Sequence, residues 1–186
     1  MRGLTEADIL QIWSENENTP IYSSCFATER AIIKAIVADA KQRGLPLHMR
    51  IVSRGLLDKF YKDLKSTFKT WLDEDGATLQ VALIDRSQFE PSAKFSQFLD
   101  NHPRVKLYFL DDYFDITGVE NTILRSFDVE GGGLKIRKIG RGHESLGYVQ
   151  SAVLKDKIDR LWANILTAAG GPRESAYGTA DQPVAI

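Results

Sequence analysis

The stretch LQVALI, residues 79–84, is a nearly continuous apolar run. Such a run is typical of a strand that is buried on both faces, because a half-exposed strand alternates apolar and polar side chains. Two further runs flank it along the chain, HMRIVS at 48–53 and VKLYFL at 105–110. Amphipathic segments separate the three runs, so the sequence predicts parallel strands connected by helices.

Shorter strands and further helices surround these three strands. The segments NTILRSFDV, LKIRKI and SLGYVQ are joined by glycine-containing links at 131–133 and 140–142, which predicts an antiparallel extension of the sheet. Apolar residues recur at helical spacing in 5–14, from Thr28 onward, over 57–72, where they predict one long helix, and after Ser151. The predicted fold is therefore an α/β domain of three layers, α/β/α, built around a mixed sheet.

The 186 residues, of which 43% are apolar, are sufficient for one core and one main domain. We expect an N-terminal helix and loop at 1–19, the α/β domain at 20–171 and a disordered polar tail at 172–186. Cys25 is the only cysteine. A disulfide framework and a thiolate-rich metal site built from this chain alone are therefore excluded.

Positive and negative charges are balanced, with 24 Lys plus Arg against 25 Asp plus Glu. This balance excludes a polybasic tail as the dominant feature, although a local cluster of cations remains compatible with it. No segment approaches the about 18 consecutive apolar residues of a membrane span, and the N-terminus lacks the apolar centre of a signal peptide. We therefore expect a cytoplasmic protein without a membrane partner.

The region 125–141 carries five positive charges against two acidic residues. These five residues, here called the basic strip, are Arg125, Lys135, Arg137, Lys138 and Arg141. Because side chains alternate between the faces of a strand, Lys135 and Arg137 are expected on one face and Ile136 on the other. A shared row of cations predicts a phosphate-binding surface. A solvated sheet edge, protected from aggregation by its charges, accounts for the same pattern.

Three further places carry side chains suited to catalysis or metal binding. His143 beside Glu144 is the best candidate for a general base, and Asp111 with Asp112 at a strand end is the best carboxylate pair for a divalent ion. Cys25 precedes a predicted helix, where the helix dipole favours a thiolate nucleophile. A solvated loop is the alternative account of the acidic and histidine pairs, and an ordinary core cysteine is the alternative account of Cys25.

The element order, the predicted hairpin NTILRSFDVEGGGLKIR at 121–137 and the closing aromatic helix resemble half of a phospholipase D-like protein. The resemblance covers roughly residues 20–167. Such halves carry a His-x-Lys-x4-Asp motif on a late strand, and two halves meet to form one site. Asn121, Ile123 and Asp128 stand at that spacing, so only the aspartate is kept. Asp128 is otherwise read as a turn residue at a strand end.

The resemblance implies a catalytically inactive binding or regulatory module, because neither an amide nor isoleucine can replace the phosphoryl nucleophile or the phosphate-holding lysine. It also implies a homodimer or a docked partner protein, with nucleic acid as the ligand of the basic strip and with no cofactor. Two other classes stay open. One is a metal-dependent phosphodiesterase or nuclease that uses Asp111, Asp112, His143 and Glu144, and the other is a pure protein-interaction scaffold.

Overall fold

A computed structural model describes most of the chain. The backbone is described for residues 3–17, 19–23, 25–53, 58–83, 94–110, 123–138, 145–148 and 152–172. Within these ranges, the side chains of 58–59, 123–124, 137–138, 145–148 and 152 are not described. The predicted tail at 172–186 lies outside the described residues except for its first residue.

Within the described residues, seven strands form one mixed sheet in the order β1-β7-β6-β5-β2-β3-β4. The strands are β1 Ile21–Ser23, β2 His48–Ser53, β3 Thr78–Leu83, β4 Val105–Phe109, β5 Ile123–Val129, β6 Leu134–Lys138 and β7 Ser145–Tyr148. β2, β3 and β4 are parallel neighbours, whereas β5, β6, β7 and β1 pair antiparallel. This arrangement confirms the predicted mixed sheet.

The helices are α1 Glu6–Glu15, α2 Phe26–Gln42, α3 Asp58–Tyr61, α4 Lys65–Asp73, α5 Lys94–Asn101 and α6 Ala152–Ala169. The segment predicted as one long helix, 57–72, is divided by a 3-10 turn at Lys62–Leu64 into α3 and α4. Phe60, Leu64 and Phe68 keep a spacing of four through the turn and are all buried. Apolar periodicity therefore could not reveal the interruption.

The two faces of the sheet are covered by different helices. On one face, here called the α2 face, residues of α1 to α5 form a core that includes Ile36, Phe68 and Phe127. On the other, the α6 face, Trp162 and Ile165 of α6 belong to a second cluster of buried apolar residues. The protein is thus a three-layer α/β/α domain, as the sequence predicts.

The start of α1 follows directly from its sequence. The Thr5 side chain accepts from the Asp8 backbone N–H, and the Asp8 carboxylate accepts from the Thr5 N–H, which completes a capping box. Ile9 and Trp13 then enter the core of the α2 face. None of the described helices is long and apolar enough to cross a membrane.

Most strand ends that border an undescribed segment lie on the same side of the sheet, where the parallel strands end. This side is here called the carboxyl edge. The parallel strands β2, β3 and β4 end there, and β5 begins there because Arg125 pairs with Ser53. The end of β6 and the start of β7 meet at the same edge, where Arg137 pairs with Ser145. The opposite edge, where β2, β3 and β4 begin, is the amino edge. In open α/β sheets, ligands bind outside the carboxyl ends of the parallel strands.

Candidate functional site

Strand β5 separates the sequence-predicted site residues onto the two faces of the sheet. Arg125 lies on the α2 face with Phe127, whereas Asp128 lies on the α6 face. The period of two in a strand imposes this separation. Two distinct polar clusters result, and only the first contains residues of the basic strip.

Lys135 is buried in an ion pair. Its Nζ donates to Oε2 of Glu29 over 2.9 Å, and the two side chains are 1% and 0% exposed. Glu29 lies in the first turn of α2, which crosses over β6. A buried charge is tolerated only when it is paired, and here each partner neutralises the other. Lys135 therefore does not stand on an open surface.

Arg125 is also buried, with 6% of the residue exposed. Its guanidinium carbon lies 4.8 Å from the centroid of the Phe60 ring and 5.4 Å from that of Tyr61. Among the residues that the structure describes, Nη1 of this guanidinium is buried and has no hydrogen-bond partner. Aromatic faces attract a cation, but they supply neither a negative charge nor a hydrogen-bond acceptor of full strength.

Tyr61 links Arg125 to the end of β2. Ser53, the residue of β2 that pairs with Arg125, interacts through its side chain with the Tyr61 hydroxyl. Burial raises the pKa of the Tyr61 phenol, although the charge of Arg125 opposes this in part. The ring stacks on Phe95 with centroids 4.8 Å apart. The phenol therefore stays protonated at neutral pH and is held rigidly.

These side chains form one group at the carboxyl edge, here called the Arg125 cluster: Glu29, Ser53, Phe60, Tyr61, Arg125 and Lys135. Both cations contact the Phe60 ring, because Lys135 Nζ lies 5.2 Å from its centroid. The cluster contains hydrogen-bond donors and positive charge, and all six of its residues are buried. Its one carboxylate, on Glu29, already binds Lys135.

Cys25 is the N-cap of α2, as its sequence position predicts, and it is exposed. Its Sγ lies 3.3 Å from Thr28 Oγ1, and this hydrogen bond is the main cause of a lowered pKa of the thiol. Of the described histidines, His48 bonds Thr78 at the amino edge and His102 bonds Asp73. Neither serves the thiol as a base in these positions, so a nucleophilic role of Cys25 stays a prediction.

Asp128 takes part in an ion-pair network on the α6 face. Its Oδ2 accepts from Nε of Arg50 over 2.8 Å and also from Nη2, which in turn donates to Asp159 of α6 over 2.6 Å. Burial raises the pKa of the Asp128 carboxyl from 3.8 to about 6, against the opposing charge of Arg50. Asp128 thus connects β5, β2 and α6 and faces away from the Arg125 cluster.

The other predicted site residues are described only in part or not at all. Ile123 begins β5 and pairs with Lys138, and Arg137 pairs with Arg125. Only the backbone of Ile123, Arg137 and Lys138 is described. Six predicted residues lie outside the described ranges: Asp111, Asp112, Asn121, Arg141, His143 and Glu144. Within the part of the chain that the structure describes, no group of three or more His, Cys, Asp or Glu residues could hold a metal ion.

Four residues of the Arg125 cluster were not predicted as site residues: Glu29, Ser53, Phe60 and Tyr61. One signal was present for Glu29, which lies three and four residues before Ile32 and Ile33 and therefore on the apolar stripe of α2. A carboxylate at such a position predicts a buried cation nearby, because an unpaired charge is costly there. No comparable local signal marks the aromatic pair, since Phe60 and Tyr61 read as ordinary core residues.

No protein-family model matches the chain, and no curated protein matches it. Among solved structures, the chain is similar to a polyphosphate kinase from Porphyromonas gingivalis, with 15% sequence identity and a TM-score of 0.43. The similarity covers 83% of this chain and 24% of that chain, so this chain spans about a quarter of the length of that structure. A similarity of this strength assigns no function.

Proposed function

We propose that this chain is a non-catalytic binding module that takes a phosphate-containing ligand at the carboxyl edge of its sheet. The observation that carries the proposal is the buried guanidinium of Arg125, whose Nη1 has no hydrogen-bond partner among the described residues. The ligand anion supplies that partner. Nucleic acid, the ligand predicted for the basic strip, offers such anions in its backbone.

The charges within the Arg125 cluster favour the binding of an anion. Glu29 neutralises Lys135, whereas the neighbours of Arg125 are the rings of Phe60 and Tyr61. Removing the partner of a buried charge typically costs about 3–5 kcal/mol. An uncompensated buried guanidinium therefore favours the binding of an anion by a comparable free energy. A stable fold that keeps such a residue is consistent with a binding role.

A phosphodiester of a nucleic-acid backbone fits this environment. A guanidinium binds two oxygens of a phosphate group through two parallel hydrogen bonds. Lys135 also contacts the Phe60 ring, but Glu29 neutralises its charge, so Arg125 supplies the net positive charge beside that ring among the described residues. One such cation matches the single negative charge that each phosphodiester carries.

The non-catalytic part of the proposal rests on the phospholipase D-like resemblance and on the chemistry of its motif. Asn121 and Ile123 stand where the family has its histidine and lysine, and neither side chain can perform their roles. The remaining motif residue, Asp128, is engaged by Arg50. The resemblance also implies that a second half meets this site, so the proposal includes a homodimer. Sedimentation velocity would then give a mass that rises with protein concentration.

The test is fluorescence anisotropy with labelled single- and double-stranded oligonucleotides, titrated from low to roughly physiological salt. We expect binding that weakens with salt, because phosphate contacts release counterions, and that falls at least about tenfold in Arg125→Met, which is about 1.4 kcal/mol. Lys157→Ala, an exposed lysine on α6, is the matched control for lost charge. Circular dichroism establishes that each variant is folded. Equal affinity of wild type and folded Arg125→Met would overturn the proposal.

A metal-dependent phosphodiesterase is the second candidate, because in the sequence its residues directly follow or precede strands that have an end at the carboxyl edge. β4 and its continuation end at Leu110, immediately before Asp111 and Asp112, and β7 begins immediately after His143 and Glu144. This candidate predicts turnover of a phosphodiester that requires a divalent ion and is lost in Asp111→Ala. A pure scaffold instead predicts a partner complex that is insensitive to salt and to Arg137→Ala.

A further inference from the structure

A cleft of about 370 Å³ lies at the amino edge of the sheet, at the opposite end of β2 and β3 from the Arg125 cluster. This amino-edge cleft is lined by His48, Met49, Thr78, Leu79, Gln80, Pro103, Arg104, Lys106 and Glu130. Its volume falls within the roughly 300–1,000 Å³ that small-molecule sites occupy. No residue of α6 lines it, so the cleft occupies a part of the sheet that this helix leaves uncovered.

The sheet register places the polar lining residues in a row across four strands. Glu130 adjoins His48, since its N–H donates to the His48 carbonyl over 2.9 Å. His48 pairs with Thr78, whose Oγ1 lies 2.9 Å from His48 Nδ1, and Gln80 pairs with Lys106. The row therefore runs from a carboxylate beside β5 to two cations on and before β4.

The two ends of the row have opposite charge. Arg104 and Lys106 are two residues apart, and both are exposed, as is Glu130. None of the three forms an ion pair within the described part of the chain. Three strand spacings of about 4.8 Å separate β5 from β4, or about 14 Å between the backbones. Side chains that reach inward from both ends leave room for a ligand of about one sugar ring and one phosphate.

We propose that the amino-edge cleft binds a small phosphorylated sugar. The phosphate lies against Arg104 and Lys106, because paired cations bind a dianion well. The sugar hydroxyls donate to the Glu130 carboxylate, which has only acceptor atoms, and exchange hydrogen bonds with Thr78 and Gln80. Pro103, which is exposed, supplies apolar surface for the ring. This site is independent of the phosphate ligand proposed for Arg125.

The test is isothermal titration calorimetry with ribose 5-phosphate, inorganic phosphate and ribose as probes. We expect ribose 5-phosphate to bind at least about tenfold more tightly than inorganic phosphate, since it engages both ends of the row. Lys106→Ala weakens both phosphate-containing probes. Glu130→Gln weakens ribose 5-phosphate alone, because a carboxamide accepts hydroxyl hydrogen bonds less strongly than a carboxylate does.

Two variants separate this site from the Arg125 cluster. Arg125→Met leaves ribose 5-phosphate binding unchanged, and Lys157→Ala is neutral toward all three probes. Absence of measurable binding at millimolar concentration overturns the proposal, as does binding that resists both Lys106→Ala and Glu130→Gln. Loss of binding in Arg125→Met with retention in Lys106→Ala also overturns it and assigns the probe to the carboxyl edge.

Discussion

Lys135 and Glu29 face each other across the interface between β6 and α2, with Nζ and Oε2 2.9 Å apart and with both side chains inaccessible to solvent. The ion pair holds the charge of Lys135 in the protein interior. Arg125 contacts the same aromatic ring, and no carboxylate of the described residues forms an ion pair with it. This difference separates a cation that is paired within the fold from the cation that the proposed function assigns to a ligand.

Lys135→Met is expected to destabilise the fold by about 3–5 kcal/mol, because it breaks a buried ion pair by removing the cation that Glu29 Oε2 binds. Urea denaturation measures this as a fall in the free energy of unfolding. The double variant Lys135→Met with Glu29→Gln is expected to recover most of the loss, because it removes the buried charge. A cost below about 1 kcal/mol for the single variant would mean that water reaches the pair.

Arg125→Met is expected to keep or raise stability, in contrast to Lys135→Met. It removes a buried charge that no carboxylate among the described residues compensates, and this gain offsets the loss of cation–π contacts worth about 0.5–2 kcal/mol each. Thermal unfolding in phosphate-free buffer measures the effect. An added ligand at about 100 times its dissociation constant stabilises the wild type by about 2.7 kcal/mol. Arg125→Met is expected to lose this stabilisation by the ligand. If the ligand stabilises Arg125→Met as much as it stabilises the wild type, the ligand binds elsewhere.

Asp128 is expected to give a distinctive pH dependence. Its pKa is raised in the folded protein from 3.8 to about 6, so the folded state binds the proton more tightly than the unfolded chain does. The stability from this group is fully present below pH about 4 and is lost as the pH rises through about 6. A shift of about two units corresponds to about 3 kcal/mol.

Comparison with Asp128→Asn isolates this contribution. Urea denaturation at several pH values gives the free energy of unfolding of wild type minus that of the variant, and we expect this difference to fall between pH 4 and 7. Asp159→Asn, which changes the half-exposed second partner of Arg50, serves as the control. A difference that rises with pH would show that Arg50 holds Asp128 ionised instead.

Gly76 and Gly44 offer a matched pair for the amino-edge cleft. Both have positive φ, +70° and +66°, but a Cβ at Gly76 would lie 3.2 Å from Arg104 Nη1, whereas nothing lies within 4 Å of one at Gly44. Alanine at either position is expected to cost about 1–2 kcal/mol of stability through backbone strain. Only Gly76→Ala is expected to weaken ribose 5-phosphate, as calorimetry would measure. Equal affinities in the two variants would remove Arg104 from the site.

Much of the fold was readable from local patterns. The strand at His48–Ser53 and the first two strands of the antiparallel extension were predicted within about two residues, because alternation and apolar runs depend only on neighbouring residues. The capping box of α1 is equally local. The 3-10 turn between α3 and α4 was not predicted, because it preserves the apolar spacing that defines a helix in the sequence.

The sequence alone determined that Lys135 points away from Leu134 and Ile136, because a strand alternates its side chains. It did not determine what lies on the other side. Only the tertiary structure placed Glu29, 106 residues away, against Lys135, and Arg50, 78 residues away, against Asp128. Alternation is a property of the local backbone, whereas burial and charge pairing depend on which helix covers each face. The tertiary structure therefore decided which of the described cations of the basic strip is paired with a carboxylate.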